Sequence, residues 1–197
     1  RIFTLFPTRR SSDLVMVLFT GRPLALQSEE KQVNAILNVW FGGTEAGAAI
    51  ADVLTGKVSP TGKLTMSFPR VTGQCPIYYN HKMTGRPMSP DAWYTRYVSN
   101  YIDVLNEPLY PFGYGLSYTI YTYGDVSLNT NSMDANGKIQ ASVIVTNTGA
   151  QDGEEIVQLY LRDIVRSITP PVQELKGFKR VALKAGESKK VTFDIDV

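Results

Sequence analysis

A change in the spacing of apolar residues constrains the fold of this chain more than any other feature. Before residues 110–119, short apolar runs alternate with a helical pattern, and after them apolar residues recur at every second position. The stretch itself, YPFGYGLSYT, holds four aromatic residues and two glycines in ten residues. Mobile linkers are poor in aromatic residues. We therefore expect a packed seam between an α/β module and an all-β module; the alternative is the ordinary start of a buried strand with two turn glycines.

The α/β module is predicted over residues 15–70. An unbroken apolar run, VMVLF, is typical of a strand buried on both faces, and a second apolar run follows after a short polar helix. The expected elements are strands at 15–19, 35–41 and 64–68, a helix at 28–32 with Ser28 as its N-cap, and a helix at 44–54 capped by Thr44. Strand, helix and strand at this spacing predict a βαβ unit.

Two glycines, Gly42 and Gly43, follow the second predicted strand. Open α/β sheets bind ligands at the carboxyl ends of their strands, so a binding site is one interpretation. We favour the other, that the glycines only allow a tight turn between strand and helix. Glu45 lies in the first turn of that helix, where the helix dipole lowers a carboxyl pKa, opposite to what a general acid needs.

Residues 71–118 are predicted to be a long ordered loop that ends in the aromatic seam. A loop of this length is usually functional or disordered, and its many aromatic residues argue for order. Aromatic rings stack on the apolar face of a pyranose, and cations donate to its hydroxyls, so a sugar site is expected here. The candidate substrate-binding residues are His81, Lys82, Arg86, Trp93 and Arg96. A loop that its aromatic residues merely pin to its own domain is an equal alternative.

Residues 119–197 predict a β-sandwich. Apolar residues alternate with polar ones along 139–146, and Asn136-Gly137 is a strong hairpin signal. The residues expected on the core side of the later strands are Leu175, Phe178, Val181, Leu183, Val191, Phe193, Ile195 and Val197. Short strands with turns at regular spacing are typical of a sandwich, and because seven strands need about 100 residues we expect this one to be truncated.

Composition excludes several classes of function. The chain has 197 residues and a net charge of +2, which is too small to indicate nucleic acid binding. No apolar run approaches the length of a membrane span. One histidine and one cysteine exclude the usual zinc sites and any internal disulfide within this chain, and no cofactor is expected.

The first fourteen residues do not read as structure. RIFTLFPTRRSSDL has no clean period and resembles a translated sequencing adapter, and it carries the whole net charge. We predict that residues 1–14 are a non-native segment.

Several strings together resemble glycoside hydrolase family 3, in its bacterial three-domain β-glucosidase form. They are VMVLFTGRPLAL, AILNVWFGGTEAGAAIADVLTGKVSPTGKLTMSFPR, YYNHKMTGRP and LYPFGYGLSYT. Downstream, VTNTG, GEEIVQLYLRD and PVQELKGFKRVALKAGESKKVTF look like the fibronectin type III-like domain of that family. The resemblance implies that residues 15–70 are the C-terminal half of an α/β sandwich domain and that 119–197 are a C-terminally truncated fibronectin type III-like domain.

The function that the resemblance implies is the C-terminal part of an exo-acting, retaining β-glucosidase. In the family, the nucleophile is an Asp of a barrel domain and the acid/base is a Glu ahead of the strand matching 15–19. Both catalytic carboxylates are therefore expected outside this chain, which alone should be inactive. β-Linked glucosides or oligosaccharides are the expected partners, without nucleic acid or membrane, and a periplasmic or secreted location is expected for the full-length protein. The alternatives are a β-xylosidase and a stand-alone fibronectin-like module that binds carbohydrate or protein.

Overall fold

The computed structural model describes residues 14–88, 94–134 and 136–196, so the predicted non-native segment lies outside it except for Leu14. The chain divides into two compact units. The first, here called the α/β unit, takes in the described residues up to Ala51, then Met66–Tyr79 and Thr84–Phe112. The second, here called the β unit, takes in Asp52–Thr65, Asn80–Met83 and the residues from Gly113 onward.

The α/β unit contains one pair of parallel strands among its described residues. Strands β1 (Val15–Leu18) and β2 (Ala35–Asn38) are parallel, and helix α1 (Gln27–Glu30) lies between them in the chain. Val15 is 43% exposed and the rest of β1 is only partly buried, so the prediction of a strand buried on both faces is wrong for the described chain. Two paired strands do not cover each other's faces, since strands in one sheet lie side by side.

The N-cap of the first helix differs from its prediction. Leu26 takes the N-cap position, and its side chain makes no capping hydrogen bond. Ser28, predicted to be the cap, instead donates its hydroxyl to Glu29 Oε2 at 2.6 Å. That hydrogen bond lowers the pKa of the Glu29 carboxyl. The helix at 44–54 is confirmed as α2 (Ala46–Leu54).

The predicted third strand is wrong. Residues 64–68 form no strand; Phe68 makes a single antiparallel bridge to Tyr110, whose carbonyl accepts the Phe68 N–H at 2.8 Å. Phe68 is only 2% exposed, and its ring meets those of Trp40 and Tyr110 at centroid distances of 5.8 and 6.3 Å. The apolar pattern at 64–68 therefore reflects the burial of Phe68 among aromatic rings. A buried strand would have given the same pattern.

The β unit is a sandwich, as predicted. Its strands are β3 (Tyr121–Tyr123), β4 (Ser127–Leu128), β5 (Lys138–Asn147), β6 (Gly153–Leu161), β7 (Glu174–Leu183) and β8 (Ser188–Asp196). Strand β5 pairs with β3, β4 and β8, while β6 pairs with β7, and every pair is antiparallel. The two sheets share one core, made of Val145, Val157, Leu183, Val191 and Phe193.

One predicted core residue of the sandwich, Phe178, faces the other way and is 67% exposed. Side chains alternate along a strand, so Phe178 cannot share a face with Val181 and Leu183. Gly177 takes the core-facing position instead: a Cβ there would lie 3.2 Å from the Phe193 ring. Phe193 is 8% exposed, so the missing side chain of Gly177 makes room for its ring. Val197 lies outside the described residues.

Candidate functional site

The predicted site loop is held by one buried amide in the α/β unit. Gln74 has no exposed surface. Its Nε2 donates to the carbonyl of Leu105 at 2.7 Å, and its Oε1 accepts the N–H of Arg70 at 2.5 Å. The Gln74 carbonyl accepts the phenol of Tyr101 at 3.2 Å. Gln74 thus links the start of the loop, at Arg70, to a later part of it, at Leu105.

Further contacts order the same loop. The Asn106 side chain accepts the N–H of Tyr101 at 3.1 Å and donates to the carbonyl of Ser99 at 2.9 Å. The rings of Tyr79 and Phe112 are stacked, with centroids 4.1 Å apart and planes 13° apart. Aromatic and amide side chains therefore do pin this loop to its own unit, which leaves its cationic side chains free to take another role.

Two of the candidate residues, His81 and Lys82, lie in the β unit. The His81 carbonyl accepts the N–H of Val172 at 2.9 Å, and Lys82 forms an antiparallel bridge with Pro171. Their side chains are exposed, and His81 Nδ1 lies 3.1 Å from the Lys82 carbonyl oxygen. The backbone at 81–82 is thus fixed against the connection between β6 and β7.

Two more candidates, Arg86 and Arg96, are exposed residues of the α/β unit. The Arg86 carbonyl accepts the N–H of Ser99 at 2.8 Å, beside a bridge between Pro87 and Ser99. Trp93, the fifth candidate, lies outside the described residues. The four basic candidates are His81, Lys82, Arg86 and Arg96. Within the part of the chain that the structure describes, none of their side chains forms an ion pair.

A buried carboxylate lies in the β unit, although no pattern in the sequence predicted it. Glu155 belongs to β6, and its side chain is 10% exposed against 15% for that of its partner Lys63, whose Nζ is 3.1 Å away. The phenol of Tyr123 donates to Glu155 Oε1 at 3.0 Å, and Lys63 Nζ also donates to the carbonyl of Gly115 at 2.8 Å. With its charge matched and its oxygens occupied, Glu155 serves as an internal ion-pair partner.

Residues 14–88, 94–134 and 136–196 show neither a cluster of metal ligands nor a membrane-spanning helix. They contain no group of three or more His, Cys, Asp or Glu side chains placed to hold a metal ion. None of the helices there has the length and hydrophobicity that a membrane crossing would require.

The aromatic stretch at 110–119 is less buried than predicted. Tyr110 and Phe112 are half-buried in the α/β unit, but Tyr114 and Tyr118 in the β unit are 39% and 46% exposed. The Tyr118 phenol donates to the carbonyl of Val53 at 2.7 Å, and its N–H donates to Ser59 Oγ at 3.0 Å. Hydrogen bonds of its phenol and its backbone N–H therefore hold Tyr118 in place, whereas burial of its ring was predicted.

Two exposed rings lie at the carboxyl ends of β1 and β2, where a tight turn was favoured over a binding site. Phe19 and Phe41, the first and third residues after the ends of these strands, are 63% and 86% exposed. Trp40, which precedes Phe41 in the chain, has a left-handed backbone, with φ of 51°. The glycines at 42–43 gave the only signal, because they mark this edge as a place where backbone must turn closely.

Comparison with known protein families finds two matches along the chain. A family model described as the glycosyl hydrolase family 3 C-terminal domain matches residues 8–118, and a fibronectin type III-like domain model matches residues 155–197.

Among curated proteins, a periplasmic beta-glucosidase of Salmonella typhimurium is 54% identical over 184 residues, which is 93% of this chain and 24% of that protein. A beta-xylosidase of Formosa agariphila is 44% identical over 182 residues, covering 92% of this chain and 24% of its own length. The chain thus spans about a quarter of the length of these relatives.

Among solved structures, the beta-glucosidase of Listeria innocua in complex with isofagomine superposes with a TM-score of 0.88 at 47% identity, covering 93% of this chain and 26% of that one. Crystal structures of the same enzyme with glucose, and of a mutant with laminaribiose, superpose equally well, each with a TM-score of 0.88.

Proposed function

This chain belongs to glycosyl hydrolase family 3, and on that premise we propose that it forms the C-terminal part of an exo-acting, retaining β-glucosidase. The observation that carries the proposal is the order of the two matched domains, at 8–118 and 155–197, within relatives that are β-glucosidases. We propose β-linked glucosides, including short oligosaccharides, as the substrates.

Retaining hydrolysis requires a nucleophile and an acid/base, two carboxyl groups about 5–5.5 Å apart across the scissile bond. Several acidic side chains of the described chain form ion pairs. Glu155 pairs with Lys63, Asp52 with Lys57, Asp163 with Arg166 and Glu154 with Arg180. The resemblance to family 3 implies that both catalytic carboxylates lie in the part of the polypeptide that the relatives have beyond this chain. The present chain would supply substrate contacts.

Those contacts are assigned to the loop candidates His81, Lys82, Arg86, Trp93 and Arg96. Arg86 is the strongest of them, because its guanidinium is exposed while its backbone is tied to Ser99. A fixed backbone with an unpaired guanidinium can donate to sugar hydroxyls with little loss of backbone freedom.

A second specificity, β-xylosidase, has the Formosa agariphila relative in its favour. Xylosides differ from glucosides by lacking the exocyclic hydroxymethyl group, so parallel assays with both aryl glycosides distinguish the two. A periplasmic location of the whole protein is proposed on the name of the Salmonella typhimurium relative, and cell fractionation tests it.

The test of the proposed activity uses the whole reading frame of the source locus. Its product should hydrolyse aryl β-glucosides with retention of configuration, whereas residues 15–197 expressed alone should not exceed the buffer background. Hydrolysis by the short chain that disappears when one of its own carboxylates is replaced would overturn the assignment of the catalytic groups.

The loop contacts are tested in the same product. Arg86→Ala should lower kcat/KM by about 1–3 kcal/mol of transition-state binding, because a charged hydrogen bond to substrate is lost. Arg166→Ala is the matched control, since that exposed arginine pairs with Asp163 in the β6–β7 connection. A lower melting temperature with unchanged kinetics for the Arg86 variant would favour a purely structural loop.

A further inference from the structure

Two exposed aromatic side chains mark the carboxyl edge of the parallel strands in the α/β unit. Phe19 directly follows β1 and Phe41 lies three residues past the end of β2, and the strands pair in register up to Leu18 and Asn38. Phe41 is 86% exposed and Phe19 is 63% exposed. Phenylalanine gains free energy by burial, so two such rings at one edge of a sheet mark an interaction surface.

The ring of Phe41 is seated against backbone. A Cβ atom on Gly21 would lie 2.6 Å from Cζ and 2.8 Å from Cε2 of Phe41, a distance that no side chain could accept without moving the ring. The turn beneath it is fixed, since the Thr20 hydroxyl donates to the Arg22 carbonyl at 2.7 Å and accepts the Arg22 N–H at 3.2 Å. Glycine at position 21 thus allows the ring to lie on the turn.

The backbone at Trp40 keeps Phe41 pointing outward. Trp40 has a φ of 51°, a left-handed conformation that is costly for a bulky side chain. Its own ring turns inward and meets the Phe68 ring at a centroid distance of 5.8 Å. Gly42, which follows Phe41, is packed so closely that a Cβ there would lie 2.3 Å from the Ala46 Cβ. Strain of this kind persists where surrounding structure holds it, and it clusters at functional sites.

The chemistry of this edge suits a neutral sugar ring. A flat ring lying on a fixed turn offers a stacking surface to the apolar C–H face of a β-glucopyranose, whose hydroxyls lie at its periphery. Arg22 is exposed next to that turn, and within the described chain its guanidinium has no ion-pair partner. It can donate to those hydroxyls. The edge is also the side of an open α/β sheet where ligands bind.

We propose that Phe41, seated on Gly21 and flanked by Phe19 and Arg22, is a stacking platform for a pyranose ring of a β-linked glucoside. The choice of sugar rests on the proposed function; the existence of the platform rests on the exposure and seating of the ring. The platform is separate in the chain from the loop candidates at 81–96.

The test is saturation-transfer and titration NMR of the full chain with laminaribiose, using sorbitol as a polyol without a ring. Transfer should be strongest at the axial protons H1, H3 and H5, which share one face of the sugar. Phe41→Ala should weaken binding roughly fivefold or more, the size expected for loss of one stacked ring. Gly21→Ala should also weaken it, because the new Cβ displaces the ring while Phe41 remains. Phe178→Ala, the same change at a ring 67% exposed on β7, should leave binding unaltered.

Three results would overturn the platform: no saturation transfer from the wild-type chain, equal transfer to laminaribiose and sorbitol, or equal affinity of the Phe41→Ala and Phe178→Ala variants. Circular dichroism of each variant confirms that the fold is kept. If the whole reading frame hydrolyses β-glucosides but the chain shows no ring-dependent binding, the platform fails alone. If the chain binds through Phe41 and the whole reading frame cleaves no glucoside, the proposed function fails alone.

Discussion

The two units of this chain are stabilised in different ways. In the β unit, five buried side chains from both sheets form a single cluster around Val145, which has no exposed surface. In the α/β unit, no residue of β1 or β2 is buried, and the buried side chains, among them Leu26, Phe68 and Val104, belong to loops. A polar residue, Gln74, is the most buried of that unit. The comparison teaches that the sandwich buries side chains of its paired strands in one cluster, whereas the described α/β unit buries apolar and polar side chains of its loops.

The largest expected effect comes from breaking the sandwich core. Phe193→Ala should lower the free energy of unfolding of the β unit by about 3–5 kcal/mol, because it removes a large buried ring and leaves a cavity beside Gly177. Chemical denaturation measures it. The matched control is Phe178→Ala on β7, where exposure of 67% predicts a change within about 0.5 kcal/mol. Equal losses for the two variants would contradict the described register of β7.

A smaller and more local effect is expected in the α/β unit. Gln74→Met keeps the side-chain volume but leaves the Arg70 N–H and the Leu105 carbonyl without their partner, which should cost about 1–3 kcal/mol. Hydrogen exchange should speed up at residues 99–107 and stay unchanged in β5 and β8. Gln151→Met, at an exposed position in the β unit, is the control. Equally faster hydrogen exchange in both units would show that they unfold together. The proposed difference between the two units would then be wrong.

The smallest expected effect depends on pH. Burial and the negative charge of Glu155 raise the pKa of Tyr123, whose neutral phenol donates to that carboxylate. An unfolded tyrosine titrates near pH 10. The stabilisation is therefore fully present below about pH 10 and is lost as the pH rises from there through the folded pKa. Because Tyr123 is 50% exposed, solvent screens the charge and the effect stays small.

The measurement is the melting temperature between about pH 9 and 11. The wild-type protein should lose stability more steeply with rising pH than Tyr123→Phe, which has no phenol to titrate. Tyr78→Phe, at a tyrosine 61% exposed in the α/β unit, should follow the wild-type curve. If the melting temperatures of the wild type and of Tyr123→Phe fall in parallel with rising pH, Tyr123 does not contribute to the loss of stability at high pH.

Periodicity predicted most of the fold and little of the site. Strands β1 and β2, helix α2 and the alternation along β5 follow from spacing alone, because burial selects residues at the period of each element. The strand at 64–68 was wrong, since an apolar run records burial without recording its hydrogen-bond partner. Among the candidate site residues, cations in an aromatic loop led to the prediction of His81, Lys82, Arg86 and Arg96, which stays a prediction. Their exposure and backbone anchoring, and the seating of Phe41 on Gly21, had no sequence signal of comparable strength.

The sequence by itself determined the class of the two units, their order and their family, because hydrophobic period and motif strings are local properties of the chain. Tertiary structure alone decided which side chains meet. Glu155 is a buried partner of Lys63, 92 residues away in the chain. Gln74 looked unremarkable beside Cys75, yet its amide reaches Leu105, 31 residues away. Hydrogen bonds and ion pairs act over a few ångströms of space irrespective of separation in sequence, so only the folded chain could bring these partners together.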